Sequence, residues 1–213
     1  AEVAGTVTLR ATADNAAEPQ AVRTAALDVA INALAYGPDG TTLAAAGADG
    51  VIRLLDATTL AVTRSLRGHT EGVLSVDFSA VGGLLASAGY DQTVRLWNPT
   101  TGEAIASLAG HTWWVWSARF SDDGRRLASA GQDGRVIVWR RSEQGFEPAV
   151  EFSAHEGPAY SADFGPRGEI ASAGYDRTIR VWRPEDVSPL DIERRVAGLP
   201  DPETPHDVLT GHR

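Results

Sequence analysis

Residues 68–97 read GHTEGVLSVDFSAVGGLLASAGYDQTVRLW, and the pattern returns as GHTWWVWSARFSDDGRRLASAGQDGRVIVW at 110–139 and as AHEGPAYSADFGPRGEIASAGYDRTIRVW at 154–182. His69 and His111 stand 42 residues apart, and His155 follows 44 later. A fixed period of about 20–50 residues means an array of equivalent units rather than one irregular core. Residues 30–56, AINALAYGPDGTTLAAAGADGVIRLLD, fit the same register as a weaker copy, with Tyr36 in the place of Phe78, Phe120 and Phe164. Within a copy, short apolar segments such as Val73 to Phe78, Leu84 to Ser87 and Thr93 to Trp97 are separated by Gly and Asp clusters, which predicts three strands and tight turns. An outer strand follows, for example Ala104 to Leu108 after the turn at 98–102. The fold class is therefore all-β, in units of four antiparallel strands. One such sheet cannot cover both of its own apolar faces, so the units must stack on one another.

Working outward, the whole chain has 213 residues, 43% of them apolar and 22% charged, with no apolar run long enough to span a bilayer. Its formal net charge of −9 opposes attraction to phosphate backbones, so neither nucleic acid nor membrane is an expected partner. All 19 basic residues are Arg, and with frequent Ala and Gly this points to a high-GC, bacterial coding bias. The absence of Cys rules out disulfides and thiolate metal sites without fixing the compartment, and a cytoplasmic location is the expectation.

The Gly-His opening, the Leu-Ala-Ser-Ala-Gly-x-Asp centre and the closing Trp resemble the WD40-repeat β-propeller family, in bacterial-type repeats, over roughly residues 21–212. The resemblance implies a buried network joining a His, a Ser, an Asp and a Trp in each blade. The sets are His69, Ser87, Asp91 and Trp97; His111, Ser129, Asp133 and Trp139; and His155, Ser172, Asp176 and Trp182. An indole N–H, a hydroxyl, an imidazole and a carboxylate can satisfy one another away from water. Ser, His and Asp are also the parts of a hydrolase triad, but a catalytic site is unique and these sets recur, so they read as structural. The weak copy has Leu27, Ala45 and Leu55 in place of His, Ser and Trp and keeps only Asp49.

Residues 1–213 read as a single propeller segment: a partial blade at 1–29, a degenerate first blade at 30–69, and further blades at 70–111, 112–155 and 156–213. The last carries an insertion at 183–206 with five Pro residues, read as a solvated loop. Thr6 to Leu9 and Ala21 to Ala26 read as third and outer strands, and Asp207 to Arg213 as an outer strand with the Gly-His of another blade. About four and a half blades are thus expected, an incomplete ring cut from a larger protein and completed by flanking blades or another chain.

By the same resemblance, partners would bind at the loops before the first strand and between the second and third strands. The successive copies place Asn32, Leu74, Trp116 and Tyr160 at one position and Ala48, Tyr90, Gln132 and Tyr175 at another. Trp113, Trp114 and Trp116 concentrate aromatic anchors there, with Tyr90, Tyr160 and Tyr175 beside them. Asp-Gly pairs at 39–40, 49–50, 123–124 and 133–134 fit hairpin turns rather than calcium loops, and no cofactor or metal site is expected. The reading is a non-catalytic scaffold or sensor that binds proteins or peptides, within a larger bacterial signalling or regulatory protein. Its alternatives are an enzyme with a central-channel site and a spacer arm.

Overall fold

The computed structural model describes residues 6–11, 20–143 and 145–183, and these form strands and turns with no helix among them. A two-stranded antiparallel pair, β1 (Thr6–Ala11) and β2 (Gln20–Ala26), precedes the blades. The first blade is β3 (Ile31–Tyr36), β4 (Thr42–Gly47), β5 (Val51–Asp56) and β6 (Val62–Arg67). The second is β7 (Val73–Phe78), β8 (Leu85–Gly89), β9 (Val94–Trp97) and β10 (Ala104–Leu108). The third is β11 (Val115–Phe120), β12 (Arg126–Gly131), β13 (Arg135–Ser142) and β14 (Gly145–Ser153). The fourth contributes β15 (Ala159–Phe164), β16 (Ile170–Gly174) and β17 (Ile179–Trp182). The insertion beyond Arg183 and the outer strand expected over Asp207 to Arg213 lie outside the described residues.

Two strands start one residue later than their apolar runs suggest. Leu84 ends a turn by accepting the Ser79 N–H at 2.9 Å, and the Thr93 N–H and hydroxyl both turn back to Asp91, so pairing begins at Leu85 and Val94.

Strand alternation gives each blade two different faces. On one, Ala86 pairs with Leu96 and Ala88 with Val94; on the other, Leu85 pairs with Trp97 and Ser87 with Arg95. The first kind of face, Ala44, Ala46, Ile52 and Leu54 in the first blade, packs on the second kind, Leu85 and Trp97 with Val73 and Val76, in the second. The same match joins the second blade to the third and the third to the fourth. Small Ala side chains on one face make room for the Trp on the next. The innermost strands are also bonded across blades: the Ser75 and Ser117 hydroxyls accept the N–H groups of Ala118 (3.3 Å) and Ala162 (3.1 Å). In the fourth blade, the face equivalent to Ile52 and Leu54 holds Ile179 and Val181, which are 65% and 57% exposed among the described residues.

Candidate functional site

Both loop sets of interest are pinned to each other. In each blade, the residue preceding the Asp of the second turn donates its N–H to a carbonyl of the loop before the first strand. The four bonds are Ala48 to Ala30, Tyr90 to Gly72, Gln132 to Trp114 and Tyr175 to Pro158, all 2.8–3.0 Å. The Asp side chain adds a second tie, accepting the N–H of Thr70, Thr112 or Glu156 from that loop at 3.0–3.2 Å.

Beneath these loops the structure brings together all four members of each polar set. In the second blade the Trp97 Nε1–H donates to the Ser87 hydroxyl at 2.8 Å; Ser87 lies 2.7 Å from His69 Nε2, and His69 Nδ1 lies 2.8 Å from Asp91. The corresponding Trp–Ser, Ser–His and His–Asp distances are 2.9, 2.8 and 3.0 Å in the third blade and 2.8, 2.8 and 2.9 Å in the fourth. An indole N–H can only donate, so the serine accepts it. A neutral imidazole protonated on Nδ1 then takes the serine proton on Nε2 and donates to the carboxylate, leaving nothing unpaired. Burial pushes the Asp91 carboxyl up, but donation from His69 and Thr93 outweighs it and holds the group at about 2. Asp133 and Asp176 are held low against the same burial penalty by donors that include His111, and Thr178 with His155. With Ser87, Ser129 and Ser172 buried and engaged on both sides, none is placed to attack a substrate.

In the first blade Leu27, Leu55 and Ala45 form an apolar patch with Leu43, Leu60 and Ile31. Asp49 there turns to Arg53, 2.7 Å away, in the absence of a histidine. Sequence reading missed this arginine and its equivalents Arg95 and Arg180, which also pair with the aspartate four residues before them. Their recurrence at one position was the available signal.

The aromatic residues meet as a continuous chain across three blades. Ring centroids are 6.1 Å apart for Trp113–Trp114, 4.9 Å for Tyr90–Trp114, 6.0 Å for Trp114–Trp116 and 5.7 Å for Trp116–Tyr160, all edge to face. Trp113 and Tyr160 are 55% and 45% exposed, whereas Tyr90, Trp114 and Trp116 are half-buried. Tyr175, exposed on the same rim, stacks beside Gly157 and makes no ring contact among the described residues. Gln132, at one of the expected rim positions, accepts the Trp116 Nε1–H at 2.8 Å and so sets that ring's angle.

Every first strand carries a β-bulge at the same place: pairing register skips at Asn32, Leu74, Trp116 and Tyr160. A bulge turns the extra residue out of the regular alternation and re-aims its side chain. Trp116 and Tyr160 reach each other from neighbouring blades at these bulges.

The family model described as WD domain, G-beta repeat matches the chain four times, at residues 20–56, 60–98, 102–140 and 146–183. No curated protein matches the chain.

Proposed function

The chain belongs to the WD40-repeat family, whose repeats generally serve as scaffolds for protein–protein interaction, and from that membership we propose that it is a non-catalytic binding module for a protein or peptide partner. The partner is held on the loop rim by Trp113, Trp114, Trp116, Tyr90 and Tyr160, with Tyr175 at its edge. The observation that carries this reading is the aromatic chain itself, because exposed aromatic clusters beside rigid backbone are what interfaces use as anchors. The polar sets serve as the fastening beneath the rim, and the bulges aim the anchors. The setting is a larger bacterial signalling or regulatory protein, a reading supported by the Arg-only, Ala- and Gly-rich composition as far as its source is concerned.

Panning a random peptide library on the full chain tests the site. Binders are expected whose affinity drops about tenfold or more on Trp113→Ala or Tyr160→Ala, with the thermal midpoint of the protein unchanged. Binders indifferent to both substitutions would place the interaction elsewhere on the molecule, and a chain that captures nothing would return the reading to a spacer arm.

A further inference from the structure

Resting on that reading of the loop rim, we infer that the Trp113 end of the rim takes a cationic side chain, the arginine or lysine of a basic peptide, laid over the indole on a rim whose neighbouring loops carry exposed carboxylates. Trp113 occupies the position filled by Glu71 in the preceding blade and by Gly157 in the following one, where the exposed Glu156 comes just before the glycine, so the loops on both neighbouring blades carry an exposed acid. Among the described residues of the two loop sets, the side-chain charges of Asp28, Glu71 and Glu156 face only that of Arg177 outside the polar sets. Arg53, Arg95 and Arg180 at the foot of these loops are each paired with the aspartate of their own turn, and Arg135 is paired with Glu151. The rim therefore offers a cation uncompensated negative charge.

The rings offer it a second attraction. Trp116 has spent its N–H on Gln132, so what it presents to a partner is π surface rather than a donor. Edge-to-face contacts align ring edges, which are positive, with neighbouring faces, and leave the exposed Trp113 as the indole whose negative face a cation can reach. An anionic partner meets repulsion at the same spot, and a purely apolar one leaves Glu71 and Glu156 unused.

The selected peptides decide the matter. Those enriched on the chain and lost on Trp113→Ala should carry Arg or Lys. Replacing that Arg by citrulline, which keeps the shape and removes the charge, should weaken binding about fivefold. The difference should shrink below about twofold in the Glu71→Gln/Glu156→Gln double variant and at molar salt, where screening lengths fall to about 3 Å. Trp113-dependent binders that lack a basic residue, or that tolerate citrulline, would overturn the cationic partner and leave the rim as the binding face. Binders that depend on Tyr160 but not on Trp113 would overturn the cationic site and leave the rim as the binding face, and a library yielding no binder dependent on either residue would overturn both.

Discussion

One serine hydroxyl in each polar set carries two hydrogen bonds between groups that water does not reach. Ser129→Ala leaves the Trp139 indole N–H and His111 Nε2 without partners, which should cost about 1–3 kcal/mol in urea unfolding. The reverse change should also destabilise: Ala45→Ser puts a hydroxyl among Leu27, Leu43 and Leu55, where no partner awaits it, at about the same cost. The aspartates add a pH dependence. The Asp91 carboxyl lies lower in the folded chain (about 2) than its ordinary 3.8, so its contribution is complete above 3.8 and drains away as the pH falls toward 2. Asp133 and Asp176 shift the same way, and acid titration followed by circular dichroism should show unfolding concentrated in that window. At this scale the polar sets were legible through the family resemblance, whose motif puts these residue types at recurring positions. Arg53, Arg95 and Arg180 were not, since an arginine in an alternating strand looks like any solvated side chain until its partner's position is known. The rim position of Gln132 was legible but its role was not: its neighbours in register are Ala48, Tyr90 and Tyr175, and nothing in that mixture announces a hydrogen bond to Trp116.

The elements turn on a few backbone positions. The hairpin after each Asp needs a left-handed residue, supplied by Gly50 and Gly134 at φ 77° but by Gln92 and Arg177 at φ 66° in the other two blades. Gln92→Gly should therefore stabilise by about 0.5–1 kcal/mol, the relief of strain exceeding the entropy lost by glycine. Gly134→Ala should do the opposite by about 1–2 kcal/mol or more, because a Cβ would also meet the Gly157 and His155 carbonyl oxygens at 2.7 Å. Thermal melts of the two variants should shift in opposite directions. Asp-Gly pairs made half of these turns readable in advance. The bulges at Leu74 and Trp116 were hidden, because a run such as Val73-Leu74-Ser75-Val76 suits a strand buried on both faces as well as a strand with one residue out of step.

Across the molecule, stability depends on which face meets which. Ile52 and Ile179 occupy the same place in the first and fourth blades, one fully buried against the second blade and the other 65% exposed. Ile52→Ala should cost about 2–5 kcal/mol. Ile179→Ala should change stability by no more than about 0.5 kcal/mol. Chemical denaturation of both variants checks the contrast, and equal losses would mean that the fourth blade's face is covered. Stacking was predictable from two apolar faces per sheet; that the Ala-rich face always receives the Trp-bearing one was not, because alternation gives two faces without saying which neighbour each one meets. The matched repeats and the sheets are also out of phase: residues 60–98 supply β6 to the first blade and β7, β8 and β9 to the second. A gene segment duplicated in that frame brings a closing strand for the blade before it and awaits one from the copy after it. Arrays built this way can lengthen or shorten by whole units without orphaning an internal strand, which makes copy number, rather than the blade, the quantity that duplication and deletion can change at little structural risk.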